Sequence, residues 1–392
     1  MDQQLWIKNL CHVFLLLFCL APMSCKKHTS NDLIVFDINA NYPVKTLDIE
    51  DIADIEYLVL DVSDDEYLFR YFYTMTDSFI ICERRNEVLF FSRSTGKPVS
   101  KVSRYGQGPG EYLNCRLPVY SEIKDELFIY GNSEISSYTR DGTFKLKFPT
   151  VDSEFPIIDH TFFPMAMYDY DANHLLLNGF SLRKGSMRDT AFMLISKQGG
   201  FIDVITIPVA EWVSTLFSPG DGTGTVADAY YAVRNGNNFL LTDYSSDTVY
   251  RFTPDRHLIP VLVRKPSIQK METKIFLHSW LETGTCLFFS TQQRVDFASG
   301  GGWPPHTGYL MEKRNCQFFR TNVQMRDYKE KELILGPSVI HNLPNDHTGI
   351  IVWNTLELHT ANSEGKLSGE LKEVVDRLTK YDEYVFMILN FK

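Results

Sequence analysis

The sequence lacks the features of nucleic-acid-binding and zinc-binding proteins. Its formal net charge is −10 at pH 7, and no stretch is rich in Lys or Arg. A basic face is needed to neutralise phosphates, so we exclude nucleic acid as a partner. The seven cysteines form no C-x-x-C pair. Cys82, Cys115, Cys286 and Cys316 lie far apart in strand-like runs. This spacing favours buried free thiols over metal ligands and leaves one disulfide open in an oxidising compartment.

The chain also lacks the short motifs of common enzymes. It contains no G-x-S-x-G elbow, no H-E-x-x-H pair and no phosphate-binding loop ending in Gly-Lys-Ser/Thr. His341 and His347 have no third ligand nearby in the sequence. The run 169–174 alternates acidic residues as a calcium loop does, but it lacks the glycine and glutamate that such a loop needs. We therefore predict no metal, no other cofactor and no identifiable catalytic residue. Catalytic carboxylates from distant segments would escape these motifs, so an enzyme stays an open alternative.

Long hydrophobic runs are missing as well. The apolar run Val13–Leu20 is too short to span a bilayer and is typical of the central region of a secretory signal. It is followed by Ser24 and Cys25, which resemble a bacterial lipobox although Pro22 stands where leucine is usual. We expect residues 1–24 to be a lipoprotein signal peptide, Cys25 to carry the lipid that attaches the chain to a membrane, and residues 25–32 to be a polar tether. An ordinary cleaved signal and an uncleaved anchor are the alternatives.

What is present beyond residue 32 is an all-β pattern with an internal repeat. Short apolar bursts alternate with turn signals. Five strand–turn–strand units recur at intervals of roughly 50 residues, with turn centres near Gly96, Gly142, Gly199, Asp255 and Arg314. Two further apolar bursts precede each of the last four units, which gives four strands a unit. We predict that residues 33–392 form one domain, a six-bladed β-propeller of four-stranded antiparallel blades, because no unit could bury both of its faces alone.

The two ends of the chain predict the sixth blade. Apolar runs at 348–360 and 384–389 flank the amphipathic segment Ser368–Lys380. We therefore expect a small helical insertion near the C-terminus, within the sixth blade. The ring must close or expose an edge, so either Leu33–Ile38 or Ile55–Leu60 should pair with the C-terminal strands. Five or seven blades stay open.

The segment Arg104–Tyr112, "RYGQGPGEY", resembles the G-x-G-P-G-E-Y signature of six-bladed β-propeller lipoproteins of Bacteroides-type bacteria, which are similar in architecture to NHL-repeat propellers. The lipobox-like start, the segment "DIADIEYLVLD" and the apolar strand near Lys392 also resemble that family. The resemblance implies the fold over nearly the whole mature chain and implies little about activity. Surface-exported lipoproteins of such bacteria often carry acidic residues after the cysteine, whereas "CKKHT" has none. This favours the periplasmic side of the envelope over the cell surface.

The glycine-rich segment has two interpretations. As a structural corner it would use the backbone freedom of glycine, the stiffness of proline and a tucked aromatic ring, supplied by Gly106, Gly108, Pro109, Gly110 and Tyr112. In the other interpretation Arg104 and Glu111, which could also pair with each other, point into the channel mouth and contact a ligand.

Loop lengths predict the binding face. In a propeller, connections from the outermost strand to the next blade, and from the second to the third strand, lie on one face. The long connections here all belong to that set, so we name this side the long-loop face. Its aromatic residues Trp212, Phe217 and Trp303 could stack on sugars, anchor a protein or seal the blade ends. The candidate binding residues are Arg104, Gln107, Glu111, Arg183, Trp212, Asp221, Trp303 and His306.

These observations predict a monomeric, lipid-anchored envelope protein. We expect a non-catalytic binding or scaffold module that takes a protein or glycan ligand on the long-loop face. A hydrolase or lyase acting on a glycan is the alternative, because propeller channels can hold charged and aromatic side chains together.

Overall fold

The computed structural model describes residues 33–131, 133–150, 162–183, 186–187, 192–211, 213, 216–217, 230–296, 306–336, 347–379 and 381–392. The predicted signal peptide, lipidated Cys25 and tether lie outside these residues. Of the helices in the described part of the chain, none is long and apolar enough to cross a membrane.

The described chain begins with a segment that runs along the outside of the molecule. Its elements are β1 (Ile34–Asp37), β2 (Val44–Asp48), the short helix α1 (Ile49–Ile52) and β3 (Ala53–Val59).

Five four-stranded antiparallel blades follow, each built from strands that are consecutive in sequence apart from the short β14 and β24. Blade 1 contains β4 (Tyr71–Met75), β5 (Phe79–Arg84), β6 (Glu87–Ser92) and β7 (Pro98–Val102). Blade 2 contains β8 (Arg116–Ser121), β9 (Glu126–Gly131), β10 (Glu134–Thr139) and β11 (Phe144–Pro149). Blade 3 contains β12 (Phe162–Asp169), β13 (His174–Arg183), β15 (Phe192–Ser196) and β16 (Phe201–Ile205). Blade 4 contains β18 (Tyr230–Asn235), β19 (Asn238–Asp243), β20 (Thr248–Phe252) and β21 (Leu258–Lys265). Blade 5 contains β22 (Ile275–Glu282), β23 (Cys286–Gln293), β25 (Thr307–Glu312) and β26 (Gln317–Gln324).

The remaining elements are short strands, the sixth blade and two helices. The two-residue strands are β14 (Ser186–Met187), β17 (Leu216–Phe217), β24 (Val295–Asp296) and β27 (Glu332–Leu333). Blade 6 has three strands in the described residues, β28 (Thr348–Asn354), β29 (Tyr384–Phe391) and β3. Two helices interrupt it, α2 (Thr355–Ser363) and α3 (Gly369–Arg377). Short 3-10 turns cover Asp65–Tyr67 and Ile268–Lys270. The predicted six-bladed propeller with a helical insertion near the C-terminus is confirmed.

The ring is closed by β3, so the predicted pairing of Ile55–Leu60 with the C-terminal strands is confirmed. β3 pairs antiparallel with β29, with Leu58 opposite Phe386. The other predicted candidate, Leu33–Ile38, does not pair with the C-terminal strands. Its strand β1 instead lies parallel to β21 of blade 4, and β2 lies parallel to β26 of blade 5. The N-terminal segment therefore joins three consecutive blades.

The strands bury both of their faces because each blade is covered by its two neighbours. On β29, Val385, Met387 and Leu389 belong to the apolar cluster shared with blade 5, and Phe386 and Ile388 to the cluster shared with blade 1. Side chains alternate across a strand, so a strand that is covered on both sides must be continuously apolar. This explains the uninterrupted hydrophobic run at the C-terminus.

The helical insertion contains one helix that was predicted and one that was not. α3 lies in the predicted amphipathic segment and buries Leu371 and Val375. α2 follows β28 directly, in a segment predicted only as an apolar run. At the start of this helix the side chain of Asn354 accepts a hydrogen bond from the backbone N–H of Leu356. Both helices pack on the cluster between blades 5 and 6.

The four cysteines of the described chain are free, as the spacing predicted. Cys82 and Cys115 are buried, and Cys286 and Cys316 are partly buried.

Candidate functional site

The topology places the long connections at one end of the channel. Antiparallel strands reverse at alternate ends, so the outer-to-inner connections and the second-to-third connections of all blades emerge together. Two of them make contact, because β17, which lies between blades 3 and 4, pairs parallel with β24, which lies between the second and third strands of blade 5. Of the predicted binding residues on this side, Trp212, Asp221 and Trp303 lie outside the described residues, and so does the side chain of Arg183.

The "RYGQGPGEY" loop joins blade 1 to blade 2, and its polar groups are directed mainly inward. The backbone N–H of Gly108 donates to Oε2 of Glu111 at 2.7 Å. A Cβ at Gly106 would lie 2.0 Å from the same oxygen. The glutamate therefore folds back over the glycines, and a side chain at residue 106 would push it out of place. Among the described residues, Glu111 and Arg104 do not form an ion pair with each other.

Tyr112 and Arg104 tie the same loop to its neighbours. The hydroxyl of Tyr112 donates to the carbonyl oxygen of Asn86 at 2.6 Å, and only 3% of the residue is exposed. Arg104 Nε donates to the carbonyl oxygen of Gly142, in the last hairpin turn of blade 2, at 2.8 Å. Gln107 is exposed. These contacts are those of a corner that links blades 1 and 2, and a ligand role for the three polar residues stays a prediction.

His306 is the predicted residue that lies beside a second titratable group. Its ring centre is 5.2 Å from that of His278, which is fully buried in β22. The ring of Tyr244 packs edge-on against His278 at 4.2 Å. Burial lowers the pKa of both imidazoles, and the positive charges of His306 and Arg264 lower that of His278 further. Two imidazoles that resist protonation thus lie between blades 4 and 5 on the side of the long-loop face.

Arg264 organises the border of blades 4 and 5 next to these histidines. Its Nε donates to Asp247 Oδ1 at 2.9 Å, and its Nη2 donates to the carbonyl oxygens of Ser246 and Tyr244. Burial opposes ionisation of Asp247, but hydrogen bonds from the backbone of Ile268 and from Arg264 outweigh it, so its pKa is lowered. The ion pair is therefore present at neutral pH.

A cavity of about 390 Å³ opens at the opposite end of the channel, where the connections are tight hairpin turns. We name it the tight-turn cavity. Its wall comes from the first hairpins of blades 1 to 4 and includes Thr76, Glu122, Asp169, Asp171 and Arg234. Four blades therefore share one depression near the axis, with charged side chains in its wall.

A buried lysine stands behind this wall. Only 1% of the Lys197 side chain is exposed, and its Nζ lies 2.5 Å from Asp169 Oδ1. Nζ also donates to Ser121 Oγ at 2.8 Å and to the carbonyl oxygen of Asp171 at 2.7 Å. The lysine belongs to the last hairpin turn of blade 3, so it fastens that turn to the inner strands of blades 2 and 3.

The other charged groups of the wall are held by neighbouring turns. Glu122 Oε1 accepts from Thr76 Oγ1 at 2.7 Å and from the backbone of Ser78 at 2.9 Å, which links blades 1 and 2. The carboxylate of Asp171 lies 2.8 Å from His174 Nδ1. Burial opposes ionisation of Asp171, but hydrogen bonds from His174 and from the backbone of Asn173 outweigh it, so its pKa is lowered.

Blade 5 has an ion pair similar to that of Lys197 and Asp169, at the same end of the channel. Glu282, at the end of β22, accepts from Arg251 Nη2 at 2.8 Å and from Lys313 Nζ at 2.7 Å. Burial opposes ionisation of Glu282, but these two cations outweigh it and its pKa is lowered. As with Lys197, a lysine of the last hairpin turn reaches back to the inner strand. The repetition indicates that such lysines mainly fasten blades.

The tight-turn cavity was missed by the sequence interpretation. The run 169–174 was interpreted as an ordinary hairpin turn, which it is, with no sign that it faces other polar turns. Within the described residues no group of three His, Cys, Asp or Glu side chains could hold a metal ion. The sequence feature that could have indicated this cavity is the repeat itself, because the first hairpin turns of successive blades must meet at one end of a propeller.

Comparisons with known proteins agree with this fold. The DUF5128 family model, described as a 6-bladed beta-propeller, matches residues 24–338. An exported protein of Bacteroides fragilis has a similar structure, with a TM-score of 0.62 and 14% identity over 92% of this chain and 100% of that one. A member of the DUF4221 family from Bacteroides vulgatus matches with a TM-score of 0.52 and 9% identity over 87% of this chain and 97% of that one. No curated protein matches the chain. The identities are low enough that these structures establish the fold alone, and the family match establishes membership: the chain belongs to the DUF5128 family of six-bladed β-propellers.

Proposed function

We propose that the protein is a lipid-anchored, non-catalytic binding module of the bacterial envelope, which takes a protein or glycan ligand on its long-loop face. The supporting observation is the pairing of β17 with β24. Long connections from two separate places in the chain meet there, so they offer one continuous surface on a rigid scaffold. Within the described residues no metal-binding group accompanies them, which favours binding over metal-assisted hydrolysis.

An envelope location agrees with the structural similarity to an exported protein of Bacteroides fragilis. The lipid anchor itself is tested by labelling cells with an alkyne fatty acid. Label should enter the wild-type protein and be lost in Cys25→Ala. Label retained in Cys25→Ala would contradict anchoring at this residue. Protease added to intact cells should leave the protein uncut if it faces the periplasm.

The ligand is tested by applying the purified protein to a glycan array and by pull-down from envelope extracts. We expect binding that Trp212→Ala and Trp303→Ala each weaken about tenfold or more, since buried aromatic anchors carry much of the binding energy at such surfaces. Val99→Ala serves as the control because this exposed residue lies on β7, the outer strand of blade 1, and not on a long connection. Binding that all three variants retain would reject the long-loop face.

The alternative function, a hydrolase or lyase acting on a glycan, is favoured by one observation. His278 and His306 lie 5.2 Å apart between blades 4 and 5, so two neutral imidazoles stand side by side near the long-loop face. Incubation with envelope glycans, followed by assays for new reducing ends and unsaturated products, tests it. Turnover that His306→Ala abolishes, with no partner recovered by pull-down, would replace the binding proposal.

A further inference from the structure

The tight-turn cavity lies at the other end of the channel from the long-loop face and plays no part in the function proposed above. We propose that it is a second binding site, which takes a small polar molecule through a primary ammonium group. Three features of the cavity support this inference: its volume, the contacts of its two cationic side chains with the protein, and the excess of negative charge in its wall.

The size of the cavity fits a small molecule. Its volume of about 390 Å³ falls within the range of roughly 300–1,000 Å³ that is usual for small-molecule sites. Its wall is made by the inner hairpins of four blades, from Thr76 in blade 1 to Arg234 in blade 4. A ligand in it would therefore be held by a rigid ring of turns, each fixed by the hydrogen bonds described above.

Both cations of the wall donate hydrogen bonds to the protein. An ammonium group has three N–H donors, and those of Lys197 face Ser121 Oγ, the carbonyl oxygen of Asp171 and Asp169 Oδ1. Nη2 of Arg234 donates to the carbonyl oxygens of Asp169 and Tyr170, and its guanidinium lies over the ring of Phe239 at 4.7 Å. These contacts bind both cations to the wall.

The carboxylates leave an excess of negative charge. Glu122, Asp169 and Asp171 line the cavity, against the two cations Lys197 and Arg234. The turns beside it carry equal numbers of opposite charges, so they do not cancel the excess: Lys124, Asp125, Arg140, Asp141, Asp255 and Arg256. Asp171 lies toward solvent, with 45% of its side chain exposed, and Glu122 is half-buried. The Asp169 side chain is only 17% exposed and pairs with Lys197.

An ammonium group is the ligand chemistry that matches this wall. It brings donors to a surface of acceptors, and its charge is opposite to the excess. A metal ion is a poorer match, because no set of three metal-ligating side chains occurs in the described residues. A neutral sugar would bring donors without charge, so the experiment is designed to separate it from an amine.

The test is calorimetric titration of the purified protein with glucosamine, 1,5-diaminopentane and lysine. Each probe is compared with its N-acetylated form, which keeps the shape nearly unchanged and removes the charge. At least one free amine should bind at low salt and at least about tenfold more tightly than its acetylated form. Binding should weaken as sodium chloride is raised from low to physiological concentration, because salt screens the interaction of exposed charges.

Variants locate the site. Glu122→Gln and Asp171→Asn each remove one charge and keep an oxygen that can accept the existing backbone hydrogen bonds, so the fold should persist. Each should weaken amine binding about fivefold or more. Asp141→Asn is the matched control: its carboxylate accepts from the backbone of Thr143 in a hairpin turn of blade 2 that is not part of the wall. It should leave binding unchanged.

Three results would overturn the proposal: none of the amines binds, the acetylated forms bind as tightly as the free amines, or Asp141→Asn weakens binding as much as the cavity variants. These results are independent of the long-loop face, so failure here leaves the glycan-array and pull-down experiments to decide that function separately.

Discussion

The ammonium group of Lys197 lies 2.5 Å from the carboxylate of Asp169 although only 1% of the lysine side chain reaches solvent. Lys197 belongs to the last hairpin turn of blade 3, and Asp169 ends the inner strand of the same blade. The ammonium group also donates a hydrogen bond to Ser121, which ends the inner strand of blade 2. One side chain therefore joins the periphery of a blade to the channel wall. Its charge is tolerated there because the ion pair with Asp169 and hydrogen bonds to Ser121 and to the carbonyl oxygen of Asp171 compensate for its burial.

Replacing Lys197 by methionine should strongly destabilise the protein. Methionine fills a similar volume but leaves Asp169 without its cation, together with two acceptors that have lost their donor. Breaking a buried ion pair by removing one partner costs about 3–5 kcal/mol. Unfolding in urea, followed by tryptophan fluorescence, should show the loss as a lower midpoint.

Lys372→Met is the control for this prediction. Lys372 forms an ion pair with Asp376 on the surface of α3, where both side chains are about half exposed. An exposed pair of this kind contributes little to stability because water screens it, so Lys372→Met should leave the urea midpoint nearly unchanged. Equal destabilisation by the two variants would mean that burial of Lys197 is energetically unimportant.

The repeat in the sequence was enough to predict the blades. Gly96, Gly142 and Gly199 mark three of the predicted turns, and all three have positive φ angles, a backbone conformation that glycine adopts at little cost. The strands beside them are apolar and short, so their type and order could be inferred. α2 was not predicted, because its residues follow a buried strand directly and have no amphipathic spacing. The signal that could have marked its start is Asn354, whose side chain caps the helix.

The tight-turn cavity could not be predicted for a different reason. Glu122, Asp171 and Arg234 are polar residues at ordinary hairpin ends, and such residues are expected at any exposed turn. Only the closure of the ring brings them together. The long-loop residues were easier to select, since loop length is visible in the sequence, but length does not tell whether Arg104 and Glu111 turn toward a ligand or toward the loop.

A second prediction concerns the contact between blades 6 and 1. A Cβ at Gly96 would lie 2.2 Å from the carbonyl oxygen of Val59, and the residue has a φ of +68°. Gly96→Ala must therefore move the backbone of the closing strand and also adopt a left-handed conformation, which should cost about 2 kcal/mol or more. Thermal unfolding should show a clear decrease in Tm.

Gly284→Ala is the matched change at a turn of blade 5 where a Cβ would meet nothing within 4 Å. It should alter stability by about 0.5 kcal/mol or less. If the two alanine variants have the same Tm, the close approach of blade 6 to Gly96 is not a constraint on the fold.

A third prediction is that stability falls between pH 7 and pH 5. Burial lowers the pKa of His278 and His306 below the value of about 6.5 expected in the unfolded chain. The unfolded state therefore binds more protons in this range, and the free energy of unfolding falls with decreasing pH by up to about 1.4 kcal/mol per pH unit for each histidine. Asp171, Asp247 and Glu282 have lowered pKa values, so their contributions are lost only at lower pH.

Urea unfolding at several pH values between 7.5 and 5 measures this slope. His278→Gln cannot gain a proton and should flatten the curve, whereas His257→Gln, at a residue whose side chain is 71% exposed, should not change it. Because His306 still contributes, part of the slope should remain in His278→Gln; a slope as steep as that of the wild type would assign the pH dependence to other groups.

The last prediction concerns the N-terminal segment that joins blades 4, 5 and 6. β1 pairs with blade 4, but the fully buried ring of Phe36 packs among aromatic rings of blade 5, 4.8 Å from that of Phe289 and 4.9 Å from that of Tyr309. Phe36→Ala removes this link and leaves a cavity, which should cost about 3–5 kcal/mol. The adjacent Val35 is 54% exposed, so Val35→Ala should change stability by about 0.5 kcal/mol or less.

Limited proteolysis should cleave the segment around 37–43 faster in Phe36→Ala than in Val35→Ala. Equal cleavage of both would mean that β-pairing alone holds the segment, because the backbone pairing with β21 is the same in the two variants.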